Sequence, residues 1–270
     1  MLMATMLEVG DMRVRCTVSG DGPPLLLIHG AEGSHRMFDD IAPHLANRFT
    51  VIAYDQRDCG ETTNPDWPSM LDDLAHDAAG LLQALGYARA HVFGHSFGGR
   101  VAQCLALRHP EVVERLVLAN TWPLPLVLDA INSECITRIQ ALRDRLPDSA
   151  DELATYFFPS EFLATNPRFL QIFRDAAPRT ERSQRRTRTV SDTPALDARQ
   201  LTMPTLLLAG SEDRVVPPDV MLGMSAFIPN SLAVRLSGVG HAGIAQAPEA
   251  VAVHVLRFLQ SDNPPALENL

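Results

Sequence analysis

The strongest constraint on the fold is a set of short apolar runs, Leu25-Leu26-Leu27-Ile28, Thr50-Val51-Ile52-Ala53, His91-Val92-Phe93 and Leu116-Val117-Leu118, spaced so that a helix fits between each pair. A strand exposed on one face alternates apolar and polar residues, whereas an uninterrupted run of this length suits a strand covered on both faces. The segments between the runs carry helical periodicity: Met37 to Ala46, Met70 to Leu85 with Gly86 as its stop, and Phe97 to Arg108 before Pro110. Strand and helix in alternation specify βαβ units, hence an α/β fold with a mostly parallel twisted sheet flanked by helices. Met12 to Val18 alternates instead and reads as a half-buried strand, followed by the turn residues Gly20-Asp21-Gly22.

The rhythm breaks after Asn120. From Thr121 to about Gln200 no buried-strand run occurs, and helical segments are interrupted by Pro147, Pro159, Pro167, Pro178 and Pro194. Leu206 to Ala209 and Leu232 to Leu236 then resume the sheet, and Pro248 to Gln260 reads as a closing helix with proline in its first turn. The expected organisation is an α/β core from residues 1–120 and 201–262, an inserted helical lid over 121–200, and a frayed tail over 263–270.

Gly94-His95-Ser96-Phe97-Gly98-Gly99 falls between an apolar run and a helix. In that position G-x-S-x-G makes a sharp turn that lifts the serine hydroxyl above the sheet edge, with small residues where the backbone crowds. A serine hydroxyl is a weak nucleophile at neutral pH and needs a base that is itself oriented by a carboxylate. Asp213, just past Ala209, and His241, just past the last apolar run, follow in the required order. Both sit in loops at the carboxyl ends of strands, where open α/β sheets hold their ligands. Glu212 is the nearest rival to Asp213 for the orienting role. Charge developing on a substrate carbonyl oxygen needs preset donors. The N–H of Phe97 supplies one, and His29-Gly30-Ala31-Glu32-Gly33 offers the second, from Ala31; those glycines would equally suit any tight turn. His91 and His95 lie too far apart along a strand to share a metal, and helical metal-ligand spacing is missing elsewhere, so no metal is called for.

Taken together these motifs resemble the α/β-hydrolase-fold enzymes over nearly the whole chain outside the lid. His29-Gly30-Ala31 resembles the family's oxyanion loop, and Asp55 to Thr62 resembles its D-x-R-G-x-G-x-S segment, with Asp58 in place of a glycine and Thr62 in place of the serine. The resemblance implies Ser96 as nucleophile, Asp213 as orienting acid, His241 as base, and Ala31 with Phe97 as the oxyanion pair. Serine at the elbow, where haloalkane dehalogenases and epoxide hydrolases carry aspartate, argues against those chemistries. Leu116 to Thr121, Gly60 and Gln246-Ala247-Pro248-Glu249 are similar to segments of 3-oxoadipate enol-lactonases and small carboxylesterases.

Composition narrows the chemistry. All 23 basic residues are arginine. Without lysine there is no side-chain amine for a Schiff base, which excludes pyridoxal-phosphate enzymes and lysine aldolases, and no P-loop lysine. A formal charge of −9 opposes a nucleic-acid surface, and the longest apolar runs are far short of the roughly 20 residues of a membrane-spanning helix. Cys16, Cys59, Cys104 and Cys135 form no C-x-x-C pair and read as reduced thiols. No secretory signal is visible in Met1 to Asp11, so the expected location is cytoplasmic. The expected partner is a small-molecule substrate, with neither nucleic acid nor membrane; a homodimer is left open. Arg182, Arg185 and Arg186 share one face at helical spacing, so that Arg182 or Arg186 could fork onto a substrate carboxylate; a solvated face is the commoner use of such a cluster. Trp122, Phe157, Phe158, Phe162, Phe169 and Phe173 could line an apolar pocket or simply pack the lid onto the core.

The expected activity is a serine hydrolase cleaving a small carboxylic ester or lactone through an acyl-enzyme, without metal or cofactor. Carbon–carbon bond hydrolysis of a diketone-like acid, and a non-catalytic ligand receptor on the same fold, are the alternatives.

Overall fold

The computed structural model describes residues 3–176 and 179–261; the tail expected over 263–270 lies outside the described residues. Eight strands form one sheet: β1 (Met3–Val9), β2 (Met12–Ser19), β3 (Pro24–Ile28), β4 (Thr50–Tyr54), β5 (Ala90–His95), β6 (Val113–Ala119), β7 (Thr205–Gly210) and β8 (Ser231–Leu236). Their order is β1-β2-β4-β3-β5-β6-β7-β8, parallel from β4 through β8 and antiparallel where β2 joins β1 and β4. β1 was not expected. It is joined to β2 by the two residues Gly10-Asp11, with Gly10 at φ +57°, which is hairpin chemistry.

The helices are α1 (Ala42–Leu45), α2 (Leu71–Ala84), α3 (Phe97–Arg108), α4 (Leu128–Arg143), α5 (Ala150–Phe157), α6 (Ser160–Thr165), α7 (Arg168–Arg174), α8 (Glu181–Val190), α9 (Pro218–Leu222), α10 (Gly243–Gln246) and α11 (Pro248–Gln260). The helix expected over Met37 to Ala46 is instead a 3₁₀ turn, His35–Phe38, followed by the single turn α1. Pro43 accounts for the break, because its ring would collide with the carbonyl of residue 39 in a continuous helix and it has no N–H to donate. Between β6 and β7 the described residues form helices and no strand.

The apolar runs are buried on both faces. Leu26, Ile28, Val92, Leu116 and Leu118 pack with α2 and α3 in one layer, while Leu25, Leu27, Phe93, Val117, Leu206 and Leu208 pack with α11 in the other. Alternate residues of one run thus serve opposite layers, and each leucine taken from water stabilises the fold by about 1.5–3 kcal/mol. Because β3 and β5 to β8 run parallel, their carboxyl ends share one edge, and the segments leaving that edge carry Ala31, Ser96, Asp213 and His241.

Candidate active site

Ser96 stands between β5 and α3 at φ 54° and ψ −124°, a conformation that costs a side-chain-bearing residue on the order of 1–3 kcal/mol. The flanking glycines make the turn possible. A Cβ on Gly94 would lie 2.4 Å from the Gly98 carbonyl oxygen, and one on Gly98 would lie 2.1 Å from that of Ile28. The crowding expected of G-x-S-x-G is therefore strand and helix backbone meeting directly.

His241, in the loop after β8, brings Nε2 to 2.9 Å from Ser96 Oγ. Its Nδ1 lies 2.9 Å from Asp213 Oδ2 and 3.1 Å from Oδ1. A carboxylate can only accept, so Nδ1 carries the hydrogen and Nε2 is free to accept from the serine. Asp213 is fixed in turn by the N–H groups of Val215 and Val216, each 2.9 Å from Oδ1, and by Asn120 Nδ2, 2.9 Å from Oδ2. Asn120 was missed as a site residue. It directly follows β6 at φ 51°, a region asparagine tolerates better than most residues, and its amide also reaches Gly240 O at 3.4 Å. Glu212 is exposed, and its side chain takes no part in the cluster.

His95, the variable residue of the elbow, was also missed. Its Nε2 donates to His241 O at 2.9 Å, tying β5 to the backbone of the histidine loop. Burial, with the His241 ring acting in the same direction, holds its pKa at about 4 against an ordinary 6.5. His29 is held at about 3, first by burial and then by Arg186. Both stay neutral in the native state while the unfolded chain takes up protons below pH 6.5. Stability is therefore full above that value and is lost as pH falls towards the folded pKa values, by about 1.4 kcal/mol per pH unit for each histidine. Urea unfolding from pH 7 to 4.5 is expected to show this loss, and His95→Gln to reduce its slope by about one proton; an equal slope in the variant contradicts the assignment.

The loop after β3 passes beside the elbow, since a Cβ on Gly30 would lie 3.4 Å from Ser96 Cβ. Phe97 is the first residue of α3, so its N–H has no acceptor within the helix. Phe97, expected to give one donor of the oxyanion pair, adjoins the serine in sequence, and the loop that carries Ala31, expected to give the other, passes beside it. In the neighbouring segment Asp58 adopts φ +58°, the left-handed conformation for which its glycine counterpart is suited. Asn64 Oδ1 accepts from its N–H at 2.9 Å, and its carboxylate pairs with Arg185 at 2.8 Å. Thr62 keeps the hydroxyl chemistry of the serine it replaces, donating to Asp55 O at 2.7 Å and accepting from Arg15 N at 3.0 Å.

The expected substrate contacts need correction. Trp122 is buried within the core layer under α3, with Nε1 donating to Leu126 O at 3.1 Å and the Arg100 guanidinium 5.5 Å from its ring. It packs into the core cluster rather than standing at an exposed surface. Arg182 spends its fork on main-chain oxygens, those of Cys59 at 2.7 Å, Gly60 at 3.1 Å and Thr62 at 2.5 Å. Arg186 is buried, donating from Nε to Ala31 O at 2.8 Å and from Nη2 to Gln56 Oε1 at 3.0 Å. The arginine face of α8 grips the two loops beside the elbow, and of the Arg186 fork the buried Nη1 has no hydrogen-bond partner among the described residues. Phe158, Phe162 and Phe169 pack on one another within the insertion, while Phe157 also reaches His241, ring centroids 5.8 Å apart.

A mostly parallel sheet that presents a serine on a strand–helix turn, with histidine and carboxylate supplied by later strand ends, has the architecture of an α/β hydrolase. The chain belongs to the α/β-hydrolase fold family, whose model matches residues 23–248. RutD of Caulobacter segnis, provisionally named a carbamate hydrolase, is 28% identical over 247 residues, which cover 87% of this chain and 91% of that one. A hydrolase from Pseudomonas aeruginosa PA01 superposes with a TM-score of 0.80 at 29% identity, covering 96% of this chain and 98% of the other. The enol-lactonase of Burkholderia xenovorans LB400 shares the fold at 23% identity, with a TM-score of 0.80 and coverage of 95% and 100%. No described helix is long and apolar enough to cross a membrane.

Proposed function

We propose that the protein is a serine hydrolase that cleaves a small carboxylic ester or lactone through an acyl-enzyme. The observation that carries this reading is the unbroken relay from Ser96 Oγ to His241 Nε2 at 2.9 Å and from His241 Nδ1 to Asp213 Oδ2 at 2.9 Å. Ser96 Oγ attacks the carbonyl carbon while its proton passes to Nε2, and the resulting oxyanion accepts from the N–H groups of Ala31 and Phe97. Collapse breaks the acyl–oxygen bond, and the leaving alkoxide takes the proton from Nε2. With a lactone the alcohol stays tethered to the acyl group. Water then gives a proton to Nε2 and attacks the acyl carbon; the second tetrahedral species expels Ser96 Oγ, which recovers the proton, and the acid leaves. Asp213 holds the Nδ1–H tautomer throughout and stabilises the imidazolium.

The hydrolase names of the relatives support the reaction class. The test is a panel of short-chain p-nitrophenyl esters, lactones and ring-fission acids, with intact-mass analysis of the quenched protein. The expected result is a burst of p-nitrophenol equal to the enzyme concentration and an acyl adduct on the Ser96 peptide. Loss of colour from a ring-fission acid with no ester or lactone turnover would overturn the reading in favour of carbon–carbon hydrolysis. No turnover of any member, together with stoichiometric binding of one, would favour a receptor.

A further inference from the structure

We propose that Arg186, on α8, is a positioning residue for the oxyanion loop, so that the second donor of the hole is aimed correctly only while α8 is docked. This inference rests on the reading above, in which the Ala31 N–H meets the oxyanion.

The Gly30 carbonyl and the Ala31 N–H belong to one planar peptide and point in opposite directions. His29 Nδ1 donates to Gly30 O at 2.7 Å, while His29 Nε2 accepts from Gln56 N at 3.2 Å, so the imidazole sets which way that peptide faces. A single peptide can still rock about its neighbours unless the flanking carbonyls are held. His29 O, upstream, accepts from Gln56 Nε2 at 2.7 Å; Ala31 O, downstream, accepts from Arg186 Nε at 2.8 Å.

Arg186 governs both flanks. Its Nη2 donates to Gln56 Oε1 at 3.0 Å, which orients the amide so that Nε2 faces His29 O. Its guanidinium carbon lies 4.7 Å from the centre of the Phe97 ring, so the same group also touches the residue that carries the other donor. A flat fork with donors on two edges can do this, whereas the ammonium of a lysine is a single point of attachment. Docking of α8 has other anchors: Arg185 pairs with Asp58 and Asp66, each at 2.8 Å, and Arg182 holds carbonyls of the segment 59–62. Neither reaches residues 29–31 by a hydrogen bond, so general loosening of α8 and misplacement of the oxyanion loop can be separated.

The experiment compares Arg186→Met, Arg186→Lys, Gln56→Leu and Arg185→Gln on an ester that the wild type accepts. Steady-state kinetics, thermal unfolding and inhibition by a phenylboronic acid, which forms a tetrahedral adduct on the serine, are measured for each. Misplacement of about 1 Å costs on the order of 10²-fold in rate, so Arg186→Met is expected to lower kcat by about 10²-fold with KM within about threefold, and to weaken the boronate in parallel. Arg186→Lys, keeping one contact of two, is expected to fall between, at about tenfold; it also serves if the methionine variant does not fold. Gln56→Leu combined with Arg186→Met is expected to cost little more than Arg186→Met alone, because both act on the same loop. Arg185→Gln is expected to lower the unfolding temperature while kcat stays within about threefold. The proposal is overturned if the foldable Arg186 variants keep wild-type kcat and boronate affinity, or if Arg185→Gln loses both to the same degree. Turnover that survives Ser96→Ala would refute the serine reading, and this inference with it. A wild type that acylates beside an Arg186→Met that acylates equally fast would refute this inference alone.

Discussion

Ser96→Ala is expected to abolish turnover of any accepted ester, lowering kcat by about 10⁶-fold while leaving the fold intact, because the members of such a triad act as a unit. Alanine carries the same Cβ as serine, so the strained φ of 54° costs the variant no more than the native chain, and Gly94 and Gly98 still clear the backbone around the turn. What is lost is one neutral hydrogen bond to His241 Nε2, worth about 0.5–1.5 kcal/mol of stability. His241 remains held by Asp213 through Nδ1 and by His95 through its carbonyl, so the base stays in place with no nucleophile to act on. The measurement is a pair: p-nitrophenol release and urea unfolding on the same purified variant. Retained turnover with unchanged unfolding would remove Ser96 from the chemistry.

The elbow is legible in the sequence because its demands are local. Two glycines must sit where strand and helix backbones approach within 2.4 Å of an added Cβ, and no distant residue can substitute for them. Asp213 and His241 are legible for a related reason: strand ends in a parallel sheet share an edge, so chain order and position alone bring them near Ser96. Asn120 sits on the same edge but is silent, since an asparagine closing a strand has many uses and only the contact with Asp213 Oδ2 reveals this one. The arginines of α8 show a different limit. Helical spacing states that Arg182, Arg185 and Arg186 share a face, and they do; it says nothing of what that face meets, which is decided by how the insertion lies over loops some 120 or more residues away. Asp58 and Arg185 illustrate the coupling, because the aspartate that replaces the family's glycine pairs with the very helix whose docking could not be read.

Asp213→Asn is the second large effect expected, about 10⁴-fold in kcat, and the hydrogen-bond pattern around the carboxylate gives the reason. Every partner of Asp213 is a donor: the N–H groups of Val215 and Val216 on Oδ1, and Asn120 Nδ2 and His241 Nδ1 on Oδ2. An amide must turn its own NH₂ towards one of these pairs. Facing Val215 and Val216, it would leave two buried N–H groups without an acceptor, at about 1–3 kcal/mol each. Facing Oδ2's partners instead, it displaces the Asn120 amide, which keeps Gly240 O as an acceptor, and forces His241 to give up the hydrogen on Nδ1 and carry it on Nε2. That second arrangement disturbs the backbone less and is the one expected, and it is fatal to the chemistry, because Nε2–H then points at Ser96 Oγ and cannot take its proton. Glu212→Gln, one residue earlier on an exposed side chain, is expected to leave kcat within about twofold, since the main-chain bond from Glu212 N to Val239 O survives the change. Steady-state kinetics on the two variants distinguish the carboxylates directly, and a loss at Glu212 that exceeds the loss at Asp213 would transfer the orienting role to Glu212.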